Sequence, residues 1–324
     1  MSIPSFQAPG AVVMIRPHRF HPNPETAHDN SFQSSADHHG TAGVAAAAHA
    51  EVSAAAARLQ AAGVRVHLFE DDGGRDTPDS VFPNNWFSTH GGGHVALYPM
   101  YSANRRRERR SDVIDLLKAG YRVQDVIDYS GLEHDGLFLE GTGAMVLDHI
   151  ERVAYTALSR RASEVMLERF CTHFNFEPLV FRTADDDGRP TYHTNVMMCI
   201  GTEFAMVGFD LIPDAARRAE VRRRLEGSGR TVIALDNRQI ACFAGNAMEL
   251  TGSQGRLLAL SSRAAASLTP AQTSVIEQFV PLLPLAVPTI ELAGGSVRCM
   301  LAGIHLARRD GACNGVTSAQ ACPA

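Results

Sequence analysis

The sequence predicts an α/β fold in which one supersecondary unit recurs five times. Five amphipathic helical stretches punctuate the chain, and each is followed by a strand-like apolar run. Each run then leads into a short segment that mixes small, polar and hydrophobic residues. Those segments begin at Pro83, Glu140, Tyr192, Ala244 and Gly294, at separations of 57, 52, 52 and 50 residues. A fixed period of this size marks a repeat architecture.

In chain order, helices are predicted over 45–63, 105–120, 162–174, 213–229 and 269–280, from apolar residues at three- and four-residue spacing. Pro213-Asp214 and Thr269-Pro270 are helix-start signals for the last two. The strand-like runs are VRVHLFE from 64, YRVQDVIDY from 121, FEPLVFR from 176, RTVIALD from 230 and LAVPTIEL from 285. The polar segments read PNNWFST, EGTGAMVLD, YHTNVMMCIG, AGNAMEL and GGSVRCMLAGI. Five such units are expected to close into a ring or propeller of α/β modules over residues 1–308, one catalytic domain. Residues 309–324 lack periodicity and are expected to be a disordered tail.

Composition removes several function classes. With 324 residues, 45% hydrophobic, 20% charged and a net charge of -5, the chain is neither a disordered polyampholyte nor a basic nucleic-acid-wrapping domain. No apolar run approaches the roughly 20 residues that cross a bilayer, and MSIPSFQAPG lacks a signal-peptide pattern. A soluble cytoplasmic protein with no membrane or nucleic-acid partner is expected. Lys118 is the only lysine beside 29 arginines, and no Gly-rich loop adjoins it. That argues against Schiff-base and P-loop chemistry. Cys171, Cys199, Cys242, Cys299, Cys313 and Cys322 form no C-x-x-C pair and are expected as reduced thiols. The early histidines, His18, His21, His28, His38 and His39, lack ligand spacing, so no metal and no cofactor are expected.

If the five polar segments are equivalent, their unusual residues meet on one axis: Asp79, Asn84, Asn85, Glu140, His193, Asn195, Asn246 and Cys299. A carboxylate, a histidine and a cysteine from different units are the inventory of thiol catalysis. Gly294-Gly295 before Cys299 would let backbone pack closely around a nucleophile.

Four of these motifs, PDSVFPNNW, LEGTG, YHTN and GGSVRCM, resemble in that order the guanidino-group-modifying, or pentein, superfamily. Arginine deiminases, dimethylarginine dimethylaminohydrolases and amidinotransferases belong to it. MIRPHRFHPNPETAHDNSFQ and FAGNAMEL look like its citrulline-utilisation hydrolase branch, and the resemblance covers about residues 10 to 308. It implies a five-bladed α/β propeller with pseudo-fivefold repeats. Cys299 would be the nucleophile on a guanidino or ureido carbon and His193 the general acid and base. Glu140 and Asp79 would hold the substrate, and Arg105 or Arg106, with Arg161, would clamp its carboxylate. A protonated imidazole or a cationic substrate would activate the thiol.

Two departures from arginine-processing relatives point to the substrate. Those usually carry a Glu-Asp or Arg-Asp pair where this chain has Asn84-Asn85, and many have His-x-Asp where it has His193-Thr194-Asn195. A neutral ureido group suits amides, which donate and accept. A guanidinium would want the missing charge. The sequence therefore points to citrulline, giving ornithine, carbon dioxide and ammonia. Arginine deiminase, dimethylarginine hydrolase and amidinotransferase activities are the alternatives within enzymes. A non-catalytic propeller used for binding is the alternative outside them, and a metal-binding module is the weakest reading. The partner is a small amino-acid substrate, with a homodimer left open.

Overall fold

The computed structural model describes residues 7–34 and 40–309, and in it the predicted units build five three-stranded sheets. The first elements are β1 (Ala11–Pro17), α1 (Gly40–Ala61) and β2 (Arg65–Asp71). A second unit follows as β3 (Phe87–His90), β4 (His94–Leu97), α2 (Ser111–Gly120) and β5 (Asp125–Asp128). The third opens with the short α3 (Gly141–Ala144) and continues through β6 (Met145–Asp148), β7 (Val153–Ala157), α4 (Glu164–Phe174) and β8 (Glu177–Phe181). The fourth is β9 (Met198–Ile200), β10 (Phe204–Val207), α5 (Ala215–Gly227) and β11 (Thr231–Ala234). After α6 (Asn237–Ala241) the fifth has β12 (Met248–Gly252), β13 (Gly255–Ser261), α7 (Ser262–Ser267), α8 (Pro270–Glu277) and β14 (Leu282–Leu285). The chain then runs through α9 (Val297–Met300) into β15 (Ala302–Gly303).

The topology is the same in every sheet. The first two strands are antiparallel, and a helix carries the chain to a third strand parallel to the second. One sheet is assembled from both ends of the described chain. β15 pairs antiparallel with β1, Val12 opposite Gly303 and Val13 opposite Ala302, and β1 pairs in parallel with β2. Cys299 therefore sits just before the first strand of its unit, as Asn85, Glu140 and Asn195 do in theirs.

The central strands β1, β4, β7, β10 and β13 are largely buried on both faces. They lack the apolar–polar alternation that marks a half-exposed strand, so the sequence reading did not pick them out. The helices cover the sheets with the residues their periodicity selects: Val113, Ile114 and Leu117 on α2, Met166, Leu167 and Phe170 on α4, and Val221 and Leu225 on α5. Asp214 caps α5 through Ala216 and Arg217, and Thr269 forms a capping box with Gln272, as the start signals require.

Three element boundaries differ from expectation. The helix predicted over 105–120 is broken by extended backbone at Arg109 and Arg110, leaving a 3-10 turn, Asn104–Glu108, ahead of α2. Three residues per turn place Arg105 and Glu108 on the same face, and both point inward and pair. The strand expected at 121–129 is only Asp125–Asp128. The strand expected from 285 lies earlier, at Leu282–Leu285, where Pro284 is tolerated because β14 is an edge strand. Residues 290–293 are a 3-10 turn instead. Most of the predicted tail lies outside the described residues. Among the described residues no helix is long and apolar enough to cross a membrane.

Two neighbouring sheets are tied by an ion pair removed from water. Arg230, at the start of β11, donates to Asp148 Oδ2 at 2.6 Å and Oδ1 at 2.9 Å, and to the Gly201 carbonyl at 2.8 Å. Asp148→Ala strands that buried guanidinium and is expected to cost about 3–5 kcal/mol of stability, read as a shift in the urea midpoint.

Candidate active site

The residues ahead of the first strands form short turns that pack on one another: 83–85, 141–144, 194–196, the turn at Asn246 and 297–300. Gly143 makes the closest approach. A Cβ there would lie 2.1 Å from Asn85 Nδ2 and 2.8 Å from His193 Nδ1, so only glycine lets these three turns meet. Gly294 has φ 81°, and a Cβ on it would strike the Asn30 amide at 2.4 Å.

Glu140 organises the charge. His193 Nε2 donates to its Oε2 at 2.8 Å, and the backbone N–H of Tyr101 donates to Oε1 at 3.0 Å. Arg105 NH1 and Arg161 NH1 lie 3.4 and 3.6 Å from Oε2. Burial alone would raise the Glu140 carboxyl, but Arg161, His193 and Arg105 together hold it well below the usual carboxylate range. An ionised Glu140 can only accept, so His193 carries its proton on Nε2 and leaves Nδ1 bare beside Gly143. Burial pushes the imidazole down to about 4 despite Glu140, and it rests neutral.

Arg105 holds the second group of residues. Its guanidinium donates to Glu108 at 2.8 and 3.0 Å and to Asn85 Oδ1 at 3.0 Å, with Asp79 Oδ2 3.6 Å away. Arginine has donors only, so the oxygen of Asn85 must face it and the amide nitrogen must point the other way. Asn85 Nδ2 has no partner, nor do Asp79 Oδ1 or either polar atom of Asn84. All are buried. Burial raises both Asp79 and Glu108, the latter to about 7.

At Cys299 the sulfur meets two amides. Asn246 Nδ2 lies at 3.2 Å and Asn195 Nδ2 at 3.4 Å, with Asn195 Oδ1 at 3.6 Å. Asn195 is two residues from His193 on the same turn, which joins thiol and imidazole into one cluster. Burial pushes the thiol above its ordinary value, and the backbone at Ser296, Asn246, Arg298 and Asn195 offset this only in part.

The N-terminal segment closes the cluster from water. Asn23 donates to Asp79 Oδ2 at 2.8 Å, Asp29 takes Arg161 bidentately at 2.5 and 3.0 Å, and Asn30 donates to the Ala293 carbonyl at 2.9 Å. The sequence reading assigned no site residue in this segment, because isolated Asn and Asp residues in a loop carry no spacing signal. Glu108 was missed for a different reason, being one charge within an exposed-looking basic run.

Of the predicted residues, Cys299, His193, Glu140, Asp79, Asn85, Asn195, Arg105 and Arg161 share this cluster, and Asn84 lies buried beside it. Arg106 does not join it. Its guanidinium donates to the carbonyls of Met100 and Tyr101 and lies over Phe138. Glu140 is spent on His193 and the arginines and not left free for substrate nitrogens. Among the described residues His18, His49 and Glu70 each bring one potential metal-ligand atom within 4.8 Å of the others. Both Glu70 oxygens, however, accept from Arg16, which already supplies the cation there.

Repeated three-stranded units converging on a cysteine, a histidine and a glutamate define the guanidino-group-modifying, or pentein, class. Within it, the chain belongs to the N,N dimethylarginine dimethylhydrolase family, whose eukaryotic family model matches residues 16–306. Several solved structures share the fold. The N-terminal domain of ArgZ, a cyanobacterial arginine dihydrolase of the ornithine–ammonia cycle solved with substrate, matches at 15% identity with a TM-score of 0.68. The match covers 91% of this chain and 97% of that one. AgrE with ornithine and NAD+ matches at 16% and 0.69, over 94% of this chain but 40% of AgrE. A dimethylarginine dimethylaminohydrolase adduct with S-methyl-L-thiocitrulline matches at 13% and 0.59, over 92% and 99%. Another ArgZ structure holds a covalently bound reaction intermediate. No curated protein sequence matches.

Because the resting cysteine is a thiol with its pKa pushed up, the thiolate fraction should keep rising with pH. Iodoacetamide modification of Cys299, followed by peptide mass spectrometry, is expected to increase about tenfold per pH unit from pH 6.5 to 9. A plateau below pH 8 would show a thiolate already formed.

Proposed function

We propose that this chain is a cysteine hydrolase of arginine-like amino acids, with citrulline as its substrate. The orphaned amide of Asn85 carries the reading. Its oxygen is fixed on Arg105, so a buried N–H donor faces the space beside His193 and seeks an acceptor. A ureido oxygen is such an acceptor, whereas a guanidinium offers donors alone. The free Asp79 Oδ1 supplies the complementary acceptor for a ureido N–H.

In this mechanism the Cys299 proton passes to His193 Nδ1 and the sulfur attacks the ureido carbon. The bond from that carbon to the side-chain nitrogen breaks, and the leaving amine takes the proton from His193. Ornithine departs and a carbamoyl group stays on sulfur. His193 then removes a proton from water, hydroxide displaces the thiolate, and carbamate decays to carbon dioxide and ammonia. Glu140 orients the imidazole and balances its transient charge. Arg161 takes the substrate carboxylate in exchange for Asp29.

Arginine or a methylated arginine is the second reading. The family supports it, and so do three buried carboxylates, Asp79, Glu108 and Glu140, which outnumber Arg105 and Arg161. The proposal also takes residues 1–308 as one catalytic domain, its five sheets as blades closed by β15 on β1, and the reducing cytoplasm as its location. The four described cysteines are free, which suits that compartment.

Incubation with citrulline, arginine, methylated arginines and agmatine, with ornithine, citrulline and ammonia read by mass spectrometry, tests the substrate. Ornithine from citrulline is expected, and turnover of arginine alone would replace this reading with the second. Cys299→Ser should abolish turnover and leave the melting temperature within a few degrees. Asn85→Asp keeps the contact to Arg105 and turns the free donor into an acceptor. It should shift the ratio of kcat/KM from citrulline toward arginine by about 10- to 100-fold, or roughly 1.5–3 kcal/mol. An unmoved ratio in steady-state kinetics would remove Asn85 as the selector.

A further inference from the structure

The Asn246 amide is committed to the cysteine and its neighbour. One proton of Nδ2 is directed at the Asn195 carbonyl at 2.9 Å and the other at the Cys299 sulfur at 3.2 Å. Its Oδ1 accepts from the backbone N–H of Cys299 at 3.4 Å. These partners fix which end of the amide is which, because a carbonyl cannot donate and a backbone N–H cannot accept. Asn246 has no exposure to water. It sits on a turn with Phe243 at φ 62°, a left-handed conformation rarely adopted by a bulky residue, and its own N–H donates to the Phe243 carbonyl at 2.9 Å.

The two amides at the sulfur differ in what they can do. Asn195 offers Sγ both a donor and an acceptor, at 3.4 and 3.6 Å, so it accommodates thiol and thiolate alike. Asn246 offers the sulfur only a donor, because its oxygen faces the Cys299 N–H. A donor is rewarded when the sulfur is an anion, and more so where water does not screen it. No carboxylate of the described residues hydrogen-bonds the sulfur.

We propose that Asn246 is a positioning residue that steadies the anionic form of Cys299 and fixes its direction of attack. The inference rests on Cys299 being the nucleophile, and it gives the chain a neutral device for holding a thiolate. This suits an uncharged substrate, which brings no cation of its own to the sulfur.

Asn246→Asp tests it. The variant keeps an oxygen for the Cys299 N–H and replaces the donor facing sulfur with an anion. Iodoacetamide modification of Cys299, quantified by peptide mass spectrometry from pH 6.5 to 9.5, should slow at every pH by about tenfold or more. That displaces the rate profile by about one pH unit. On citrulline, kcat should fall about a hundredfold with KM within about threefold, the pattern of a group that acts on the reacting atom and not on binding. Asn246→Ala, measured alongside with its melting temperature, gives the same readout should the Asp variant fail to fold. It too should slow alkylation by about tenfold. An unmoved alkylation profile in a folded variant would overturn the assignment and leave Asn246 a structural residue. Cys299→Ser separates the two claims, since turnover surviving in it would overturn the nucleophile itself. A dead Cys299→Ser with unmoved Asn246 profiles would overturn this inference alone.

Discussion

The Glu140 carboxylate is fully buried and meets one imidazole, two guanidinium groups and one backbone N–H. An isolated carboxylate at such a depth would cost several kcal/mol, so its partners are a condition for its presence there. Each guanidinium in turn needs further acceptors. Arg105 finds Glu108 and Asn85, and Arg161 finds Asp29. The network spreads from one carboxylate until it spans six segments of chain. It fixes the tautomer of His193, and with it the ring nitrogen that is left without a hydrogen.

Chain closure supplies the rest of the geometry. Cys299 is brought to Asn195, two residues from His193, because β15 returns to pair with β1, which places the last polar turn in the same structural position as the others. The position of Cys299 therefore depends on a sheet made from both ends of the described chain. Two of the strongest electrostatic ties run between units and not within them: Arg230 to Asp148 across two sheets, and Arg161 to Asp29 on the N-terminal segment. Both guanidiniums are buried, as is Arg105, so arginines carry the long-range ties in a chain with a single lysine.

Burial also separates two proton-carrying groups in a useful direction. It pushes the Cys299 thiol up and the His193 imidazole down, so both rest neutral. In the proposed mechanism, moving the proton from sulfur to nitrogen would create an ion pair only when the reaction calls for one. Glu140 would then face the imidazolium and the two asparagine amides the thiolate, and each half of that pair has a partner already in place.

The amino-acid sequence by itself determined the repeat, four of the five helices to within a few residues, and the inventory of cysteine, histidine, glutamate and asparagines at the unit ends. Period and amphipathicity are local properties, and local physics reads them directly. Central strands such as Phe204–Val207 escaped, because burial on both faces erases alternation. The tertiary structure alone decided where each polar group points. Arg105 and Arg106 are neighbours of identical chemistry, yet one lies buried among three carboxylates and the other on two backbone carbonyls and Glu133. Asn195 turns to the sulfur, Asn85 leaves a bare N–H, and Asp29 fills Arg161. The choices at Asn85, Asn195 and Asp29 depend on partners 20 to 132 residues away, and an amide or a guanidinium takes its role from whichever complementary group the fold brings within about 3 Å.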